Sequence, residues 1–288
     1  MSTHAVTGAT SFTGRFIASR LSEAGDEVRN LGRAELANRD RLLAALDGAD
    51  TLYNTFWIRF ERGPITYDWA AERSKLLFET ARRAGVRRIV HISVINAAHE
   101  APTAYFRAKA VVEDALVACG ISHAIVRPTV TFGPGDILVN NLAWTLRRLP
   151  IFGIPGDGRY PIQPVHVEDV AAVAVRAGES PETMTVDAAG PEILSFNEFV
   201  GLVRKAIGSR SLLVHLPVAA SLAGARLIGL AVRDVVLTRH EVTELQEHLM
   251  FSSEPPAGTI HLTDWLTANA EGLGRRWASE LDRHFRGP

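Results

Sequence analysis

The chain is nearly without cysteine: Cys119 is the one thiol in 288 residues. A single cysteine excludes an internal disulfide and any cysteine-built zinc site, and it suits a reducing, cytoplasmic setting. An excess of charge of one sign is also missing. With 31 Lys and Arg against 32 Asp and Glu the net charge is −1, which gives no electrostatic footprint for nucleic acid or an anionic membrane surface. The histidines and acids show no metal spacing such as His-Glu-x-x-His, so no metal is expected. Residues 1–10 hold no basic segment leading into an apolar one, and no signal peptide is expected. The longest apolar stretch, residues 216–232, carries Arg226, Gly224 and Gly229, and is too short and interrupted to span a bilayer. It reads as a buried or partner-facing helix, and a homodimer stays open.

What is present is ordinary core material, 47% hydrophobic residues, enough for one domain with an appended lobe or for two small domains. The first half alternates strand and helix signals in the manner of βαβ units. Strands are expected at residues 4–7, 27–31, 51–54, 88–93 and 122–127, and helices at 12–24, 39–46, 66–84 and 105–118. Gly85 and Gly120 close the last two helices. After Pro128 the regularity breaks, and the Gly- and Pro-rich residues 132–136 and 152–161 read as loops. A strand near 162–165 and a helix over 168–177 are expected to return to the main sheet, while residues 195–288, mostly helical, form an outer lobe. The fold class is therefore α/β, a Rossmann doubly wound parallel sheet with a smaller, mostly helical C-terminal substrate lobe. The expected division is a Rossmann domain at 1–131 and the lobe at 132–288, with 162–187 returning to the sheet.

The most informative stretch is Thr7-Gly8-Ala9-Thr10-Ser11-Phe12-Thr13-Gly14. A strand that feeds a glycine turn into a helix aims backbone N–H groups at one place, which suits a dinucleotide pyrophosphate. Gly8 makes the tight turn and Gly14 lets the helix pack on the sheet. Thr10, Ser11, Phe12 and Thr13 complete the expected cofactor contacts. Ser11 replaces the middle glycine of the usual fingerprint, and a strand-to-helix turn with no ligand is the plain alternative.

A second constellation carries the chemistry. Ser93 ends the fourth strand, and Tyr105-Phe106-Arg107-Ala108-Lys109 opens the next helix. Residues four apart share a helix face, so the Tyr105 hydroxyl and the Lys109 ammonium can converge on one ligand. A nearby cation favours tyrosinate and is expected to lower the tyrosine pKa toward a value useful for proton transfer. Ser93 can then hold a substrate oxygen. Asn54, after the third strand, is expected at the cofactor, with a turn-forming role as the alternative; Thr55 and Trp57 follow it. Arg59, Glu61 and Arg62 read as a surface loop. His91 and His166 read as buried histidines, not catalytic ones.

With Arg127-Pro128-Thr129-Val130-Thr131-Phe132-Gly133-Pro134 and Gln163-Pro164-Val165-His166-Val167-Glu168-Asp169-Val170-Ala171 added, the chain resembles the short-chain dehydrogenase/reductase superfamily. The resemblance covers most of the chain and is nearest to the extended and atypical branch. That branch includes NAD-dependent epimerase/dehydratase-like proteins and relatives of a nucleotide-binding accessory subunit of respiratory complex I. It implies a nicotinamide cofactor across the strand ends, Tyr105 as general acid/base, Lys109 on the nicotinamide ribose, Ser93 orienting a small-molecule substrate, and Pro128 and Thr129 near the nicotinamide. Val130 stands where sugar-nucleotide epimerases carry asparagine, and the Ser93-to-Tyr105 segment is short, which argues against a UDP-sugar. The expected activity is hydride transfer to or from a small or mid-sized carbonyl or alcohol. A non-catalytic dinucleotide-binding protein, a redox sensor or a complex-supporting subunit, is the alternative.

Cofactor choice is normally written at the end of the second strand, where an acid meets the adenosine ribose. Here Val28-Arg29-Asn30-Leu31-Gly32-Arg33 has no acid, and Arg33, assisted by Arg15, can meet a 2′-phosphate. NADP is preferred, with NAD open.

Overall fold

The structure, a computed structural model, describes residues 1–285. Its first half runs β1 (Thr3–Thr7), α1 (Phe12–Glu23), β2 (Glu27–Leu31), α2 (Arg33–Ala37), α3 (Arg39–Leu46), β3 (Thr51–Asn54), α4 (Tyr67–Arg83), β4 (Arg88–Ile92), α5 (Ala104–Ala118) and β5 (Ser122–Pro128). There follow β6 (Val130–Phe132), α6 (Leu138–Arg148), β7 (Ile151–Pro155), β8 (Pro161–Ile162), β9 (Pro164–His166), α7 (Val167–Glu179) and β10 (Met184–Ala188). The chain then forms β11 (Leu194–Ser195), α8 (Phe196–Ala206), β12 (Leu212–Leu216), α9 (Val218–Val232), α10 (Arg239–Gln246), α11 (Leu262–Asn269) and α12 (Glu280–His284).

Among the described residues the main sheet has six strands in the order β2-β1-β3-β4-β5-β10, every neighbouring pair parallel. This is the doubly wound order with its switch point between β1 and β3. The central strands β3 and β4 are buried at every position because both faces of the sheet are covered. Ala5, Leu52, Ile89 and Ile125 pack with Leu42 of α3, Phe78 of α4 and Leu116 of α5. Their neighbours Val6, Tyr53, Val90 and Val126 pack on the opposite side with Ile17 of α1 and Val170 of α7. The change of face from one residue to the next is the period-two alternation of a strand.

A separate cluster builds the C-terminal lobe around Phe132, Leu142, Tyr160, Phe199, Leu245 and Leu266. Several elements here differ from the sequence expectation. Residues 152–155 of the expected loop at 152–161 belong to strand β7, paired in parallel with β12. The strand expected near 162–165 splits: β8 pairs with β11 and β9 with β6, and neither joins the main sheet. Pro161 and Pro164 lack the N–H of a central strand, and Gln163 between them is buried, its N–H donating to the Met250 carbonyl and its side chain to the Gly190 carbonyl. The element that joins the main sheet is β10, beside β5, after α7 has packed over the sheet. Short α2 was not expected. The helix expected over 216–232 forms as α9, yet only Ser221, Ala225 and Gly229 are buried along it. Among the described residues no helix is long and apolar enough to cross a membrane.

Candidate active site

Gly8 leaves β1 with φ +61°, a left-handed conformation that glycine adopts without cost. Its carbonyl accepts the Ser11 N–H at 2.7 Å. Gly14 lies against that same carbonyl, and a Cβ at Gly14 would sit 2.1 Å from the Gly8 oxygen. Ser11 caps α1, its side chain accepting from the Gly14 N–H. A serine at the place of the usual middle glycine therefore serves the helix end. The first-turn amides at Phe12 and Thr13 are those an α-helix leaves unpaired, directed with the positive end of the helix dipole at the space above the turn. Thr10 is exposed at its rim.

Beneath the turn lies a buried polar chain. The Thr7 hydroxyl donates to Asn54 Oδ1 at 3.1 Å, and Asn54 Nδ2 lies 3.0 Å from His91 Nδ1. Asn54 and His91 are both 0% exposed. Asn54 thus binds β1 to β4 below the cleft instead of reaching into it, because both ends of its amide already have protein partners. Burial, and next the Lys109 charge, hold the His91 pKa well below its ordinary value, so the ring is neutral.

The carboxyl ends of β4 and β5 carry two hydroxyls of a different kind. Ser93 and Thr129 are both buried, and neither Oγ of Ser93 nor Oγ1 of Thr129 has a protein partner. Their backbones are fixed: Ser93 N–H donates to Val126 O at 2.7 Å and Thr129 N–H to Ala188 O at 3.2 Å. Pro128, between the two strands' ends, accepts from the Ile95 N–H at 3.0 Å. Orphan buried hydroxyls cost free energy unless something completes them, and a polar ligand edge laid across the strand ends would do so.

Lys109 sits in the same place, 2% exposed, its ammonium donating to the Ile92 carbonyl at 2.9 Å and lying 4.5 Å from the Trp57 ring centroid. Burial pushes its pKa down to about 7. Tyr105, one helical turn earlier, packs edge-on against Trp57 at 6.1 Å and Tyr67 at 5.7 Å. The expected lowering of the Tyr105 pKa is corrected here: burial, then Glu244, Tyr67 and Glu241, push it above its ordinary value. The phenol is thus held protonated. Glu244 is a site neighbour that the sequence did not mark, because it comes from α10, 139 positions along the chain from Tyr105. It accepts from the Thr103 hydroxyl at 2.8 Å, and burial raises its pKa to about 7.

The arginines divide. Arg15 donates to the Pro134 carbonyl and lies over Phe16, facing the loop after β6 and not the end of β2. Arg59 bridges Glu241 at 2.7 Å and Glu280 at 3.2 Å, tying the loop after β3 to α10 and α12. Glu61 accepts from the Tyr67 N–H, and Arg62 lies over Phe285. Arg33 opens α2 at the end of β2, exposed, with one nitrogen 3.5 Å from the Arg283 carbonyl. Glu35 stands beside it and accepts from the Gly32 N–H at 2.8 Å, so that strand end carries a carboxylate the sequence segment 28–33 lacks. His166 caps α7, its Nδ1 accepting from the Glu168 N–H. The glycine cradle, the orphan hydroxyls and the buried lysine together fit a dinucleotide.

The chain is similar to several known proteins. The chain is 24% identical over 239 residues to mitochondrial NADH dehydrogenase (ubiquinone) 1 alpha subcomplex subunit 9 of Arabidopsis thaliana, a match covering 74% of this chain and 60% of that relative's length. It is 26% identical over 234 residues to a ceramide reductase of Caulobacter vibrioides, covering 74% of this chain and 73% of the relative. Among solved structures, Citrobacter sp. triphenylmethane reductase complexed with NADP(H) superposes with a TM-score of 0.71 at 19% identity, over 94% of this chain and all of that one. Residues 4–189 match the family described as NAD dependent epimerase/dehydratase. That stretch holds the glycine turn, Ser93, Tyr105, Lys109 and all of the main sheet but Thr3, and the chain belongs to the NAD-dependent epimerase/dehydratase family.

Proposed function

We propose that this chain is an NAD(P)-dependent oxidoreductase, or an epimerase or dehydratase built on the same hydride chemistry, acting on a small or mid-sized carbonyl or alcohol. The observation that carries this reading is Ser93 Oγ, buried and unpartnered at the end of β4, with Lys109 bonded to the carbonyl of the preceding residue, Ile92. A bound nicotinamide supplies or accepts the hydride. Ser93 holds the substrate oxygen by a hydrogen bond. In the reducing direction Tyr105, protonated in its buried setting, passes its phenolic proton to that oxygen as the carbonyl carbon is reduced. Lys109 fixes the ribose. Gly8, Thr10, Ser11, Phe12, Thr13 and Gly14 receive the pyrophosphate, and Pro128 and Thr129 face the nicotinamide. Arg33 favours NADP over NAD by meeting a 2′-phosphate.

A non-catalytic dinucleotide-binding role is the second reading, supported by the likeness to a respiratory-complex subunit of which the match spans 60%. Single-turnover hydride transfer separates the two, using a substrate found by screening carbonyls for NAD(P)H consumption. Tyr105→Phe keeps the ring's packing and removes the proton, so the rate should fall by about 10²- to 10⁴-fold with dinucleotide affinity little changed. Firm dinucleotide binding without turnover across the panel would favour the second reading.

A further inference from the structure

A second cavity lies outside the nucleotide cleft. It occupies about 430 Å³ between α6, β7, α8, α9 and α10, within the range of roughly 300–1,000 Å³ common for small-molecule sites. Its walls are aliphatic and aromatic, with Leu142, Phe152, Phe199, Ile228 and Leu245 among them. The polar groups there are mostly committed. Thr145 donates to the Asn141 carbonyl, the Asn141 amide binds Ala278, and Arg59 is held by Glu241 and Glu280. Ser221 is the exception, 7% exposed and with its Oγ lacking any partner. A buried wall with one orphan hydroxyl suits an apolar body bearing one neutral hydrogen-bonding group, and is unsuited to a sugar or an anion.

Two features connect this cavity to the site and to the outside. Arg59, at one end, accepts the Tyr67 hydroxyl on its carbonyl at 3.0 Å, and the Tyr67 ring lies 5.7 Å from that of Tyr105. Helix α10 likewise presents Leu245 to the cavity while its neighbour Glu244 binds Thr103, next to α5. On the far side α9 forms a wall, burying Ser221 and Ala225 while Leu227 and Leu230 stand 68% and 70% exposed. Leu227 also lines the cavity, so its outer end is apolar, while Arg59 marks the end towards Tyr105.

We propose that this cavity takes one aliphatic chain of a lipid substrate whose reacting carbon lies at Tyr105, with Ser221 bonding a neutral oxygen or amide of that lipid. This rests on the oxidoreductase reading for the reaction, though not for the binding. The test is calorimetric titration of the full chain with the primary alcohols from hexanol to dodecanol, with and without NADP. Affinity should rise about fourfold per added methylene. Ala225→Phe, which plugs the cavity, should abolish that increment, while Ser221→Ala should weaken every homologue by the same factor and keep it. Unchanged NADP titration and thermal midpoint show that each variant is folded; should Ala225→Phe fail that check, the wild-type series and Ser221→Ala decide. Affinity independent of chain length overturns the proposal, as does concentration-dependent dimerisation through α9 with no alcohol bound. Turnover of the matching aldehydes, whose single oxygen must lie at Tyr105 and not at Ser221, is followed in parallel with NADPH. Alcohols that bind in this pattern while no aldehyde turns over would leave the cavity assignment standing and remove the oxidoreductase reading.

Discussion

The Lys109 ammonium lies 4.5 Å from the centroid of the Trp57 ring while donating to Ile92 O at 2.9 Å. Neither partner carries a full negative charge, so burial dominates and the pKa falls to about 7 from 10.5. Between those two pH values the unfolded chain holds a proton that the folded chain has released, and stability should therefore rise with pH across that window. The full difference is on the order of 5 kcal/mol. Thermal unfolding of the ligand-free protein against pH should show this slope, and Lys109→Met should flatten it. Ribose oxygens accepting from the ammonium would raise its pKa again, so dinucleotide binding near pH 8 should take up protons, seen as a buffer-dependent heat in calorimetry.

Glu244 acts in the opposite sense and in a different window. Burial raises its carboxyl to about 7 from 4.5, so between these values the folded chain keeps a proton that the unfolded chain loses. Stability should fall as pH rises from about 4.5 to 7, by on the order of 3 kcal/mol. Glu244→Gln retains an acceptor for Thr103 and removes the titration, so its melting temperature should exceed wild type above pH 7 and match it near pH 4. Parallel profiles for the two proteins would disprove this account of Glu244.

The glycine turn makes a ranked prediction. A Cβ at Gly14 would stand 2.1 Å from the Gly8 carbonyl oxygen, a backbone atom that cannot move without opening the turn. At Gly8 the nearest atom is Ser11 Oγ at 3.1 Å, and the cost is mainly that of a left-handed alanine, about 1 kcal/mol. Gly14→Ala should lower stability by about 1–3 kcal/mol or more and abolish dinucleotide binding; Gly8→Ala should weaken both less. Chemical denaturation and dinucleotide titration of the two variants check the order.

Arg33 and Glu35 face the same strand end with opposite charge. If Arg33 meets a 2′-phosphate, Arg33→Ala should weaken NADP by about 1.5–3 kcal/mol and NAD far less. Glu35→Gln should narrow any remaining preference for NAD, because a carboxylate repels that phosphate. Parallel titrations with the two dinucleotides measure both, and an equal loss for NAD and NADP would remove the preference.

Much of the main sheet was legible along the chain because its signals are local. The bounds expected for β2 and β3 match to the residue, and a glycine after α4 and after α5 adopts the left-handed turn that ends each helix. The places of Ser93 after β4 and of Tyr105 and Lys109 on α5 were legible for the same reason, since strand ends and helical spacing are properties of short segments. What the sequence concealed depends on contacts between distant segments. Asn54 looks like a cleft residue until Thr7 and His91 close over its amide. Tyr105 looks activated by Lys109 until burial and Glu244, from a helix far along the chain, raise its pKa. The split of residues 161–166 between two small sheets, and a cavity walled by five elements, likewise follow from packing. Spacing along the chain determined which groups stand at the strand ends; burial, which only the tertiary structure decides, set their protonation and left Ser93, Thr129 and Ser221 without partners.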